Sequence, residues 1–199
     1  QENADRLPPS WHITVTDFSP GMLEQTKQNL SAINAQFAYE VVDVTNIPFE
    51  AGLFDAVIAN HMLYYLADKA ERARAFSGIR RVLKPGGRFY ASTNGLSHMQ
   101  AMVELVNEFD PALPFVTQVV RNFSLESGPA EVAEWFGEVE VRRYADELVV
   151  TEAQPLSDYI LSASTTFALD AERKAALREF VRTRLRERGG VITIKKDSE

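Results

Sequence analysis

Apolar and polar positions along this chain come in short blocks that switch between the periods of strand and helix. His12-Ile-Thr-Val-Thr-Asp17 predicts a buried strand at about 12–17 that ends in a carboxylate. Ser19-Pro20 then supplies an N-cap with proline at the first helical position, opening a helix at about 20–31. Met22, Leu23, Thr26 and Leu30 share one face of it. Phe37-Ala-Tyr-Glu-Val-Val-Asp43 is a second strand ending in an acid, and Val44 to Gly52 is a loop. Phe54-Asp-Ala-Val-Ile-Ala59 reads as a continuous apolar, buried strand. Leu63 to Leu83 carries helical signal, Leu83-Lys-Pro-Gly-Gly87 a stop and turn, and Arg88 to Thr93 the next strand. Strands separated by helices of this length imply crossovers and a parallel sheet covered on both faces.

Beyond Asn94 the pattern loosens. It predicts helices at 97–109 and 129–136 around a stretch holding Pro111 and Pro114, and a strand over Val139 to Tyr144. Leu156 to Leu169 and Ala171 to Arg188 read as helices, and Gly190 to Lys195 as a closing strand. No repeat or low-complexity tract interrupts the chain. The basic run from Arg173 to Arg188 is interleaved with glutamates and reads as a solvated helix face.

Composition narrows the function classes. The 199 residues suffice for one well-cored domain, with 45% apolar and 25% charged residues. A net charge of −7 argues against binding a phosphate backbone, so no nucleic-acid partner is expected. The lack of cysteine excludes disulfides, thiolate metal sites and a cysteine nucleophile. His12, His61 and His98 lie far apart without metal-ligand spacing, and we expect no metal. No apolar run reaches spanning length and no signal peptide is visible, so we expect a cytoplasmic protein without a membrane partner.

Three strand ends carry the candidate chemistry: Asp17, then Asp43-Val44, then Asn60-His61. In a parallel sheet all three fall on the carboxyl edge, where ligands bind. A carboxylate offers two acceptor oxygens to the two hydroxyls of a ribose. An acid followed by a free backbone N–H suits the edge of an adenine. Asp17 would serve equally as a turn or cap residue.

These residues resemble the class I S-adenosylmethionine-dependent methyltransferases of small-molecule type. Val15-Thr-Asp17-Phe-Ser-Pro-Gly-Met22-Leu looks like the second motif of that family, and Val42-Asp43-Val-Thr-Asn-Ile-Pro48-Phe like its third. Phe54 to His61 looks like the fourth, and Arg81 to Gly87 matches the turn before the fifth strand. The resemblance implies an α/β, Rossmann-like, mostly parallel sheet with helices on both faces and an antiparallel C-terminal strand. By the family order, the 190–196 strand lies between 88–93 and 139–144. The implied cofactor is S-adenosylmethionine, with Asp17 on the ribose, Phe18 and Met22 flanking the adenine, and Asp43 and the Val44 amide reading its edge. Asn60 and His61 fall near the methionyl part and the substrate mouth. The family opens with a strand and a Gly-x-Gly loop, yet no two glycines here are spaced i, i+2. We therefore expect one domain over 1–199, truncated at its N-terminus with the first strand missing, and an irregular insert or lid at 94–136.

Methyl transfer from a sulfonium requires in-line placement of the acceptor and, for some acceptors, a base. His61 is a candidate base or a helix cap; Tyr65, with Tyr64, a pocket wall or core; His98 a second base candidate. Phe109, Phe115 and Phe123 either form a lid or pack within the insert. The partner expected is a small-molecule acceptor, with homodimerisation left open. Two rivals are a methyltransferase-like interaction module without catalysis, and an NAD(P)-dependent short-chain oxidoreductase. For the latter Tyr65-Leu-Ala-Asp-Lys69 satisfies Tyr-x-x-x-Lys, but the preceding strand holds no serine.

Overall fold

The computed structural model describes residues 6–113, 119–163 and 169–198. Among the described residues six strands form three two-stranded sheets. β1 (His12–Asp17) and β2 (Gln36–Val41) pair in parallel from His12↔Gln36 to Asp17↔Val41. β3 (Phe54–Asn60) pairs with β4 (Leu83–Ser92). Gly87 abuts the Asp55 carbonyl and the His61 N–H reaches the Ser92 carbonyl, so these two strands also run in one direction. β5 (Tyr144–Val150) and β6 (Ile192–Ser198) are antiparallel. Among the described residues no strand links β1 to β3. The architecture is α/β and Rossmann-like, with an antiparallel C-terminal strand.

By internal packing the chain forms two compact units. The first comprises the described residues up to 57 together with 70–88. Here α1 (Pro20–Leu30) starts where Ser19 accepts the Met22 N–H and Pro20 fixes the first turn, and it packs on β1 and β2 with Leu23 buried. α2 (Lys69–Val82) buries Arg72, Ala75, Phe76, Ile79 and Val82, a stripe at helical spacing. Gly78 is needed for close approach, because a Cβ there would lie 3.2 Å from Ile47 Cδ1.

The second unit comprises 58–69 and the described residues from 89 onward. Its core sits on one face of β5–β6, where Ile192 and Ile194 meet α3 (Gln100–Phe109), α5 (Ala153–Ala163) and α6 (Ala171–Glu187). Met102, Leu105 and Val106 of α3, Leu156 and Ile160 of α5, and Leu177, Val181 and Leu185 of α6 fill it. α4 (Gly128–Ala133) follows a tight segment in which Phe123, Ser124 and Leu125 are buried. Phe109 packs on Phe180 at 5.5 Å and Phe123 is 2% exposed, so both are packing residues; Phe115 and Pro114 lie outside the described residues. No helix among the described residues is long and apolar enough to cross a membrane.

Four expectations need correction. β3 is a strand but not a buried one: only Ala59 is buried, and Ile58 is 62% exposed, because β3 has a paired neighbour on one side only. The segment 83–87 is not a turn; β4 begins directly after α2, and Gly86 within it adopts a φ of 79° that glycine permits. The strand expected at 139–144 lies at 144–150, leaving Val139 and Val141 exposed. Pairing with β6 selects the later segment, because it sets Leu148 opposite Ile194 and Val150 opposite Ile192 beside the core. Finally, the other edge of β6 does not face the body of β4. It faces residues 94–99, through a single bridge from Asn94 to Ser198 and bonds from Gly95 and Met99.

Candidate functional site

The first unit gathers the residues expected to hold a nucleoside. β1 delivers Asp17 to its carboxyl end, where the Asp17 carbonyl accepts the Val42 N–H at 3.1 Å. That bond ties the exit of β1 to the exit of β2 and sets Asp43 just beyond the same end. Asp17 is half-buried, and its Oδ1 accepts the Ser19 N–H at 2.7 Å. Its Oδ2 has no protein partner among the described residues. Helix capping falls to Ser19, while Asp17 Oδ1 closes the turn that leads into it. Phe18 (75% exposed) and Met22 (58%) flank it as bare apolar surface.

Asp43 caps a 3₁₀ turn, Val44–Asn46. Its Oδ1 accepts the Thr45 hydroxyl at 2.7 Å and the Thr45 N–H at 2.8 Å. Those bonds, with the charge of Arg74, hold its carboxyl below the ordinary range, so it is ionised at neutral pH. Val44 occupies the first position of the turn, where the backbone N–H has no partner within the turn. The following loop is braced by Arg81, whose guanidinium donates to the Ile47 carbonyl at 2.7 Å and the Phe49 carbonyl at 2.5 Å.

The second unit gathers the acceptor-side candidates. The His61 N–H is shared between the Ser92 carbonyl and hydroxyl, both at 3.1 Å, and the Ser92 hydroxyl donates to Asn60 Oδ1 at 3.4 Å. His61 adopts a left-handed conformation (φ 48°), uncommon for a residue with a Cβ and held here by the Ser92 bonds. It does not cap a helix, since the next element is the 3₁₀ turn Leu63–Tyr65, capped by Met62 without a side-chain bond. Burial pushes the His61 imidazole below its usual pKa.

Tyr64 and Tyr65 divide. Tyr64 is buried, and burial together with Tyr65 raises its phenol to about 12. Tyr65 is 66% exposed, and its ring packs at a tilt of 53° against Tyr64 with centroids 4.7 Å apart. Lys69 opens α2 four residues beyond Tyr65, which is not on that helix, and pairs with Glu134. Tyr65 and Lys69 therefore do not share the helical face that i, i+4 spacing would give them.

His98 is half-buried, and its Nδ1 lies 3.0 Å from the Asp197 carbonyl oxygen and 3.2 Å from the Asp197 N–H. Burial pushes its pKa down. Asp197, which faces His98 and bonds Gly95 and Ser97, was missed by sequence reasoning, as was Ser92 beside His61. The first pairs with partners about a hundred residues away, and no local pattern marks it.

The model of the methyltransferase domain family matches residues 2–91. Over those residues, a little under half of the chain, it is similar to the S-adenosylmethionine-dependent methyltransferases. The matched span contains Asp17, Phe18, Met22, Asp43, Val44, Asn60, His61 and Tyr65; His98 lies beyond it. The cofactor of this class is S-adenosylmethionine. A demethylmenaquinone methyltransferase of Clavibacter sepedonicus is 35% identical over 77 residues, covering 39% of this chain and 30% of that protein. A candidate methyltransferase of Bacillus halodurans superposes with a TM-score of 0.59 at 17% identity, covering 94% of this chain and 80% of that one. A Haemonchus contortus phosphoethanolamine N-methyltransferase, solved with phosphomonomethylethanolamine and S-adenosylhomocysteine, gives 0.50 at 17% identity over 99% of this chain and 45% of that one. At these identities the structures show the fold. The chain spans less than a third of the length of the curated relatives it matches first.

Proposed function

We propose that this methyltransferase chain binds the nucleoside part of S-adenosylmethionine and serves methyl transfer to a small-molecule acceptor. The observation that carries the reading is Asp17: a half-buried carboxylate at a strand end, fixed through Oδ1 by the Ser19 N–H, with Oδ2 left to accept. The donor set fits the cofactor's nucleoside. Asp17 accepts from the ribose hydroxyls, the exposed faces of Phe18 and Met22 enclose the adenine, and Asp43 with the Val44 N–H meets its polar edge. Ionised Asp43 accepts from the adenine amine, for which its lowered pKa suits it.

When bound, the cofactor supplies an electrophilic methyl group on a sulfonium. The chain's own part is orientation and proton handling. In our reading Asn60 belongs to the cofactor side, and Tyr65 and His98 to the acceptor side. Burial keeps His61 neutral at pH 7, the form that takes a proton from a hydroxyl or amine acceptor. Support for a small acceptor comes from the quinone named for one relative and the phosphobase named for one structural neighbour. The test is binding of S-adenosylhomocysteine to the full-length protein, followed by a methyl-transfer screen of phenolic, carboxylic and amine acceptors. Absence of S-adenosylhomocysteine binding would favour the non-catalytic interaction module.

A further inference from the structure

The C-terminal end of β6 grips the segment 94–99. In the ladder Asp197 stands opposite Ala145, and its peptide groups turn away from β5 toward that segment. Its carbonyl accepts the Gly95 N–H at 2.9 Å, and one residue pair away the Lys195 carbonyl accepts the Met99 N–H at 3.0 Å. Its carboxylate accepts the Ser97 hydroxyl at 3.0 Å and lies so close to Gly95 that a Cβ there would fall 2.1 Å from Oδ2. Gly95 does not have a positive φ, so its lack of a side chain serves this close approach.

One peptide group remains to be satisfied, the Asp197 N–H, and the acceptor in front of it is His98 Nδ1 at 3.2 Å. The same nitrogen is 3.0 Å from the Asp197 carbonyl, so the ring proton decides which bond forms. With the proton on Nδ1, the ring would add a second donor to a carbonyl already bonded to Gly95 and leave the Asp197 N–H facing an N–H. With the proton on Nε2, Nδ1 accepts and both peptide groups are paired. Backbone groups withdrawn from water are almost always paired, and leaving one unmade is the costlier alternative. The Nε2 side has no protein partner among the described residues.

We infer that the Asp197 peptide locks neutral His98 in the Nε2–H tautomer, so that the ring presents a fixed hydrogen-bond donor to an oxygen atom of the acceptor, a carboxylate or carbonyl, instead of acting as a base. Asp197 is the positioning residue and His98 the contacting one. The tautomer stands on the geometry alone; the donor role rests on the methyltransferase reading. His61, whose ring makes no hydrogen bond among the described residues, keeps the part of base.

The test is a long-range ¹H–¹⁵N correlation spectrum of the histidine-labelled full-length protein, with His98 assigned by its loss in His98→Gln. Above its titration, His98 should show an unprotonated Nδ1 and a protonated Nε2; a protonated Nδ1 overturns the inference. Acetate is then titrated as an oxygen probe. A saturable shift of the His98 Nε2 signal, with His61 unmoved, is the expected result, and no shift overturns the donor role. Calorimetric titration of S-adenosylhomocysteine in the same sample reads the methyltransferase assignment separately. Loss of that binding with the Nε2–H tautomer intact would refute the assignment and leave the tautomer standing.

Discussion

Gly95→Ala should change the sign of its effect on stability according to what stands at position 197. In the native background the new methyl carbon would fall 2.1 Å from Asp197 Oδ2 and 2.7 Å from its Cγ. The carboxylate must therefore retreat by more than about 1 Å to reach ordinary contact. That movement breaks the Ser97 hydroxyl bond, 3.0 Å long at an exposed site, for a loss of about 1–2 kcal/mol. Leu125 Cδ1, 3.2 Å away, has only to give by a few tenths of an ångström. Against this, replacing glycine with alanine where φ is not positive reduces the freedom of the unfolded chain, worth about 0.4–1 kcal/mol. The net result is a destabilisation of roughly 1 kcal/mol. Asp197→Ala alone loses the same hydroxyl bond, about 1–2 kcal/mol. With the carboxylate gone the methyl group meets no such obstacle, so Gly95→Ala added to Asp197→Ala should stabilise by about 0.5 kcal/mol. Urea unfolding of the four proteins gives the coupling, expected at about 1–2 kcal/mol. Additive effects would show that the carboxylate does not occupy the space over Gly95.

Gly128→Ala should cost about 1–3 kcal/mol, since its Cβ would lie 2.8 Å from Cζ of the fully buried Phe123 ring. Phe123→Leu in the same chain should recover part of the loss, and denaturant midpoints check both. Removing Arg81 (Arg81→Ala) frees the Ile47 and Phe49 carbonyls at an exposed site, so amide exchange over residues 47–53 should quicken while global stability moves by less than about 1 kcal/mol. His61 and His98 both titrate below 6.5 when folded. The unfolded chain then binds more protons below that pH, and the stability present above 6.5 is lost as pH falls through the folded values. The depressed carboxylates act only in a lower window, starting from 3.8 to 4.5. Between about pH 7 and pH 5 the thermal midpoint of the native protein should therefore fall more steeply than that of His61→Asn/His98→Gln; parallel profiles would contradict the burial of these rings.

The alternation of blocks was enough to read β1, α1, β2 and α2, because their signals are local: the Ser19-Pro20 cap, the Leu23 face, the stripe from Arg72 to Val82. The candidate nucleoside residues were legible for the same reason, since each stands at the end of a strand visible in its own few residues. What escaped was set by pairing at long range. Val139 and Val141 alternate as a strand should, but β6 pairs with 144–150, whose Leu148 and Val150 meet Ile194 and Ile192. Leu83-Lys-Pro-Gly-Gly87 has turn composition, yet it lies within a strand paired to β3, with Gly86 at a positive φ. The Asp197 grip on Gly95, Ser97 and His98 depends on a register that neither segment encodes alone.

The central claim is that Asp17 holds the ribose of S-adenosylmethionine. It is tested most directly by calorimetric titration of S-adenosylhomocysteine into the full-length protein and its Asp17→Ala variant, with melting profiles matched beforehand. Loss of charge-assisted bonds to the ribose hydroxyls should weaken binding by about 1.5–3 kcal/mol, a factor of roughly ten to 150. Asp43→Asn, which keeps an acceptor oxygen for the adenine amine, should weaken it less. Equal affinity for the native protein and Asp17→Ala would contradict the account.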